Sequence, residues 1–513
     1  VKKPVLPKHL MDVEAIELIW GPPAVIRDVS EFRDYQTWMG RKAQELEGVY
    51  LAADPGLGKT SATLLAITEM LAAGTVRQVL VVAPLYVAEN TWPEEIAGWS
   101  FARHLKYRVV TGTAAQREAA LKYGPCQVTI INRENLRWLY NRFGARRWPY
   151  DLVVYDEASR LNSGRKKTKP VKRKDGSVGV ARATELGILS RVRHKMRVIE
   201  LSGTPASSGL INLWGPIYLI DKGYRLGRNK SDFESRWFKT NTYDYSVTPF
   251  AHSEAEIMDR IKDVFFALRE KDYLDLPPLI TVDHRVDLPP AVSRQYKDLE
   301  RESAIILRDG ARDETIIKAA NEGVLTGKLS QIANGAIYDE ARGVHQMHSA
   351  KLDVLASIVE EAQGQPILCA YTFQFDLAAI RKRFPQARVF GESPSDMRDW
   401  NAGRIPLLVG HCASFGHGLN FQHASNIMVW YGLPWWAELY LQFIKRLHRS
   451  GQKADHVVMH RILARGTVDE TIVRVLSQRE AAQDRIIDAV KVRLSRVATG
   501  QNPLPVDEVE ALI

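Results

Sequence analysis

The stretch Ala52-Ala53-Asp54-Pro55-Gly56-Leu57-Gly58-Lys59-Thr60 constrains this chain more than any other feature. It follows a short apolar run, Val49–Ala53, and opens a helical pattern over Thr60–Ala73 that Gly74 would stop. Strand, glycine-rich turn and helix in that order form the context in which a loop cradles phosphate. Gly56 and Gly58 let backbone N–H groups close around an anion with no Cβ in the way, and the helix N-terminus adds its positive end. Asp54, Leu57 and Ser61 complete the candidate loop. Lys59 would reach the β- and γ-phosphates of a nucleotide, and the Thr60 hydroxyl would ligate magnesium. Ala53 stands where the first glycine of GxxxxGKT usually stands, so a chance glycine-rich turn is the competing reading of the loop alone.

A second feature removes most of that alternative. The apolar run Leu152-Val153-Val154-Tyr155 ends in Asp156-Glu157-Ala158-Ser159. A carboxylate at the C-terminal end of a strand lies on the edge where open α/β sheets bind ligands. Asp156 would hold the magnesium shell, and Glu157 would orient or deprotonate the water that attacks a γ-phosphate. Far downstream, Gln442-Phe443-Ile444-Lys445-Arg446-Leu447-His448-Arg449-Ser450-Gly451-Gln452 places Arg446 and Arg449 three apart, on one face of an expected helix. A planar, permanently charged guanidinium suits a γ-phosphate finger; a surface basic helix is the plainer reading of the segment by itself.

Apolar runs alternate with helical patterns through the first half: Val49–Ala53, Val79–Ala83, Arg108–Thr111, Val128–Asn132, Leu152–Tyr155 and Val198–Ser202. That alternation predicts a doubly wound parallel sheet. Residues 223–345 read as charged helical insertions and a connector, punctuated by Leu276-Pro277-Pro278 and Leu288-Pro289-Pro290. Strand-like runs return at Ile367–Tyr371, Ala387–Phe390, Leu407–Val409, Ile427–Trp430 and Val457–His460. The expected fold class is α/β, with two doubly wound lobes over 31–222 and 346–475, an N-terminal extension over 1–30, and a C-terminal brace helix and tail over 476–513.

Taken in order, these motifs resemble a superfamily-two helicase motor, and more closely the Swi/Snf family of double-stranded-DNA translocases. The resemblance runs from about Phe32 to about Ile472. Arg33-Asp34-Tyr35-Gln36 resembles the adenine-reading Q motif, and Val82-Ala83-Pro84-Leu85, followed by Trp92 and Trp99, resembles motif Ia. Leu201-Ser202-Gly203-Thr204-Pro205 resembles motif III, and Ala413–Asn420, with Gly418, resembles motif V. The resemblance implies RecA-like lobes with ATP between them, magnesium as the metal, and a finger role for Arg446 and Arg449. It implies that Arg33, Gln36 and Gly418 touch nucleotide, and that Ser202, Gly203, Thr204, Gln442 and Gln452 couple hydrolysis to DNA. Pro84 and Asn132 are expected among the duplex contacts. Ser159 departs from the family's His or Gln, and motif V lacks its usual arginine; the wording suggests a compact bacterial or phage branch. The implied activity is an ATP-hydrolysing motor that translocates on double-stranded DNA and remodels protein–DNA complexes or DNA structure. It is expected to be sequence-tolerant, since phosphate contacts carry no sequence information, and to work as a monomer. A strand-separating DNA or RNA helicase on the same motor is the alternative, and a nucleotide-gated DNA-binding scaffold a more distant one.

Composition excludes other classes. Of 513 residues, 45% are hydrophobic and 25% charged, which rules out wholesale disorder. No apolar run is long enough for a membrane span, and a cytoplasmic location is expected, or a nuclear one in a eukaryotic source. Cys126, Cys369 and Cys412 form no CxxC pair, which argues against a zinc ribbon or a disulfide framework. Thirteen histidines show no ligand spacing; His345 and His348 read as exposed loop residues. Trp435-Trp436 read as core or lobe-interface packing.

The formal net charge is +10, yet seven cations fall in one block, Arg165, Lys166, Lys167, Lys169, Lys172, Arg173 and Lys174, within a basic insertion over 164–180. A solvated loop is the plain reading, a nuclear-import signal another, and contact with duplex phosphates the sharper one. Replacing these cations with Ser should flatten the salt dependence of duplex binding, by about 0.9 in log–log slope for each phosphate that is no longer neutralised. An unchanged slope would remove the block from the duplex interface.

Overall fold

The β-branched runs become strands because each is buried on both faces of a parallel sheet, where continuous apolar sequence is what the packing requires. The computed structural model describes residues 26–122, 124–161, 184–203, 205, 209–240, 247–309, 326–339, 341–393, 395–415, 420–449 and 451–478. The basic block, Thr204, Gly418 and the chain beyond residue 478 lie outside them. The chain divides into two units, with the change at Asp272 to Tyr273.

In the first unit the strands are β1 (Gly48–Ala53), β2 (Val79–Ala83), β3 (Tyr107–Val110), β4 (Val128–Asn132), β5 (Leu152–Asp156), β6 (Arg197–Ser202), the short antiparallel pair β7 (Phe238–Thr240) and β8 (Val247–Pro249), and β9 (Phe265–Leu268). The main sheet has the order β3-β4-β2-β5-β6-β1-β9, and every pairing in it is parallel. Thus β1 is hydrogen-bonded on both edges, with Leu51 opposite Leu201 on one side and Phe266 on the other. All six positions of β1 are buried. The strand β9 lies in the stretch expected to be insertion and connector; its four buried residues, Phe-Phe-Ala-Leu, add a seventh strand to the first sheet.

The second unit contains β10 (Leu279–Val286), the antiparallel pair β11 (Ala336–Tyr338) and β12 (Val344–Gln346), then β13 (Ile367–Tyr371), β14 (Arg388–Val389), β15 (Leu407–His411), β16 (Ile427–Trp430) and β17 (Val457–Ala464). Its sheet, β10-β17-β16-β13-β15-β14, is also wholly parallel. The edge strand β10 pairs with β17 along its whole length, from Leu279–Val457 to Val286–Ala464. The two expected lobes are therefore present as two parallel sheets. Of the expected brace helix, residues 468–478 are helical.

A polar network inside the second unit had no signal in the sequence. Lys351 Nζ lies 2.6 Å from Asp469 Oδ2, with side-chain exposures of 0% and 2%. The same ammonium donates to Asn334 Oδ1 at 2.8 Å, and Asn334 Nδ2 donates to Asp376 Oδ2 at 3.0 Å. Asp376 Oδ2 also accepts from the backbone N–H groups of Thr372 and Phe373. Burial pushes the Asp376 carboxyl up to about 7, against the pull of those donors. The network ties the start of the helix Ala350–Glu361, the turn after β13 and the turn after β17 to one another. Asp469→Ala would strand a buried ammonium, and urea unfolding should show a loss of about 3–5 kcal/mol. The double variant Lys351→Met/Asp469→Leu should recover most of it, since an apolar pair carries no uncompensated charge.

Candidate nucleotide site

The C-terminal ends of the first sheet's strands all meet one edge, because every strand runs the same way. Past the end of β1, the loop residues Gly56 and Gly58 take φ of 102° and 73°. Gly58 is the left-handed residue that caps the helix Lys59–Ala72. A Cβ there would displace the Gln36 amide, and the left-handed backbone angle by itself favours glycine. Gln36 Oε1 in turn accepts from the Arg33 N–H at 2.9 Å, which fixes the glutamine amide against the loop. The expected Q motif and phosphate loop are thus brought together.

Three residues in and beside the loop have structural duties. Asp54 donates its N–H to Leu268 O at 3.0 Å, and its Oδ2 accepts from the Glu270 N–H at 3.1 Å. Its carboxylate therefore anchors the loop to the segment after β9. Leu57 is fully buried, which leaves only its backbone to face a ligand. The Ser61 hydroxyl donates to Gly58 O at 2.9 Å and braces the first turn of the helix. Lys59 Nζ lies 3.4 Å from Ala53 O, folded back across the loop.

Ser202 ends β6 fully buried, and Gly203 follows it against the loop. A Cβ on Gly203 would meet the Pro55 ring at 3.1 Å and approach Lys59 Nζ to 3.7 Å. The end of β6 therefore sits beside the phosphate loop. Between Tyr50 and Tyr155 in register, Glu200 is buried on the same strand, and neither carboxyl oxygen finds a hydrogen-bond partner among the described residues. Burial holds this carboxyl well above the usual carboxylate range, with Arg193 only partly opposing it.

Asp156 ends β5 and Glu157 follows it, with exposures of 5% and 4%. Glu157 takes φ 65°, ψ 55°, a left-handed conformation that costs a residue with a Cβ about 1–3 kcal/mol and recurs at active sites. Asp156 Oδ2 accepts from the Trp92 indole N–H at 3.1 Å. Ser159 is buried, and its hydroxyl has no hydrogen-bond partner among the described residues. A hydroxyl on Thr60 and a carboxylate on Asp156, both at this edge, are the hard oxygen donors that magnesium takes. The left-handed glycines leave the backbone of the loop open to phosphate oxygens. The residues present fit a nucleotide with its magnesium.

Other expectations change. In the second unit the helix Ala437–Leu447 stops before Arg449. His448 leaves the helical conformation at ψ 81°, with its Nε2 2.9 Å from Pro277 O. Arg446, 2% exposed, is in the last helical turn, so Arg446 and Arg449 do not share a helical face. Gln442 is buried and donates to Glu438 Oε1. Gln452 Nε2 donates to Ser425 O and Leu447 O, while its Oε1 accepts from the Lys453 and Ala454 N–H groups, so it holds a turn. Asn132 is 6% exposed and bonded to Glu134 and Asn135. Pro84 is half-buried, next to exposed Leu85 and Tyr86. Trp435 packs at the second core with its indole N–H on Ser330 Oγ, but Trp436 is 68% exposed, so core packing holds for the first of the pair alone. His345 is exposed and bonded to Asp339, whereas His348 is buried with its Nε2 2.8 Å from Ile332 O. The three cysteines are buried and unbridged, and among the described residues no helix is long and apolar enough to cross a membrane.

The profile of the SNF2-related domain matches residues 34–334. A phage protein, "Putative protein p41" of Acyrthosiphon pisum secondary endosymbiont phage 1, is 36% identical over 473 residues, covering 90% of this chain and 98% of that protein. "Uncharacterized ATP-dependent helicase YqhH" of Bacillus subtilis is 21% identical over 470 residues, covering 87% of this chain and 77% of its own. The solved "SWI2/SNF2 ATPase core in complex with dsDNA" of Sulfolobus solfataricus aligns at 20% identity and a TM-score of 0.40, covering 96% of this chain and 98% of that one. With the family profile spanning more than half of its residues, this chain belongs to the SNF2-related family of superfamily-two ATPases.

Proposed function

We propose that the chain is an ATP-driven motor on double-stranded DNA that grips the phosphate backbone without regard to sequence and remodels protein–DNA complexes or DNA structure. One observation carries the ATPase half of this reading. Gln36, the loop Asp54–Thr60, Gly203 and the Asp156-Glu157 pair converge on one edge of one parallel sheet. Membership in the family, and a relative named as an ATP-dependent helicase, support the motor half.

Each residue has a separable task. Gln36 reads the base, and the backbone of the loop holds the β-phosphate. Lys59 leaves its resting place on Ala53 O to neutralise the γ-phosphate. Thr60 and Asp156 would hold magnesium, which supplies charge compensation for the phosphate oxygens when bound. Glu157, held in its left-handed conformation, accepts the proton of the attacking water. Arg446 and Arg449 are the proposed source of further positive charge for the transition state. Because Gly203 stands against Pro55 and Lys59, a change at the γ-phosphate is felt at once at the end of β6.

ATP turnover should rise with duplex DNA more than with single-stranded DNA or RNA. Glu157→Gln should cut the duplex-stimulated rate by about 10²–10⁴-fold while nucleotide still binds, and Lys59→Ala should remove nucleotide binding itself. Near-normal turnover in either variant would refute the site. Greater stimulation by single strands, with strand separation, would favour a helicase instead.

A further inference from the structure

A carboxylate that must present one oxygen to a cation has to be stopped from rotating, and the means is a donor on its other oxygen. Asp156 has such a donor. The Trp92 indole is fully buried, and its N–H meets Asp156 Oδ2 at 3.1 Å across a distance of 64 residues in sequence. An indole N–H suits this task because it donates only, does not titrate and cannot itself ligate a metal. The ring is fixed in turn by its backbone: Trp92 opens the helix Trp92–Gly98, with buried Pro93 next to it.

The segment that leads to Trp92 is unusual. Residues Val87–Thr91 form a π-helical turn, a wide and rare geometry that recurs at functional sites. It is continuous with the exposed Leu85 and Tyr86 before it and with the helix after it. Glu89 is held by the Thr111 hydroxyl at 2.9 Å, and the Thr91 hydroxyl is left without a hydrogen-bond partner among the described residues. A regular α-helix over the same residues would turn the positions after it by a fraction of a turn. The wide turn is therefore what aims the Trp92 ring at β5.

We infer that Trp92 is a positioning residue for Asp156: its indole N–H locks one carboxylate oxygen so that the other is aimed at magnesium. This rests on the reading of Asp156 as the magnesium carboxylate.

The test measures binding of a fluorescent ADP analogue to the full chain while magnesium is titrated. Trp92→Phe keeps a ring in the cavity and removes the N–H. It should raise the magnesium concentration needed for half-maximal tightening by about tenfold or more, and leave the magnesium-free affinity for the analogue unchanged. Should Trp92→Phe fold poorly by thermal melting, site-specific replacement of Trp92 by its benzothienyl isostere, with sulfur in place of N–H, gives the same comparison at constant shape. An unchanged magnesium midpoint in the folded variant overturns the inference. Asp156→Asn run alongside separates the two readings. If Asp156→Asn shifts the midpoint and the Trp92 variant does not, only the role of Trp92 falls; if neither shifts it, the magnesium role of Asp156 falls as well.

Discussion

The phosphate loop keeps its shape because the strand that leads into it is held on both edges. β1 is paired to β6 on one side and to β9 on the other. The ladder then continues past the strand, where Asp54 takes up Leu268 O and the Glu270 N–H. Without β9, β1 would be an edge strand, and the loop after it would have nothing to close against. Everything at the site is placed relative to that anchored loop: Gln36 fits the space that the missing side chain of Gly58 leaves, and Gly203 fits against Pro55. A chain segment that looks like a connector is thus part of the nucleotide site's foundation.

The carboxylates are positioned by a different means. Asp156 is held by a tryptophan donor, and Glu157 by a backbone conformation that a residue with a Cβ adopts only when its surroundings insist on it. Both are nearly buried. Low exposure strengthens their interactions with any ligand charge, since less water screens them. The second unit uses its own buried ionisable groups, Lys351, Asp469 and Asp376, to hold its turns.

Much of this is legible in the sequence, for a physical reason. Strands buried on both faces must be continuously apolar, so β2, β4, β13 and β16 stand in the sequence with the boundaries that the structure shows. The loop Asp54–Thr60 and the Asp156-Glu157 pair are local patterns with local signals. What escapes depends on distant partners. β9 is four apolar residues in a charged stretch, and only its pairing with β1 makes it a strand. β10 has no fully buried position because it is an edge strand, and from Thr281 onward it alternates exposed and half-buried residues, so it lacks a continuous apolar run. Lys351 and Asp469 look like surface charges until the fold brings them together. The helical pattern runs through Arg449 in the sequence, but His448 breaks from it, with its imidazole on Pro277 O.

In the proposed motor, ATP turnover at this edge is converted into movement along a duplex. Displacement of a third strand from a DNA triplex measures that conversion directly, because movement along the duplex strips the third strand without separating the other two. An ATP-driven duplex motor releases the third strand with ATP and not with a non-hydrolysable analogue. Duplex-stimulated ATP hydrolysis with no release of the third strand would contradict it.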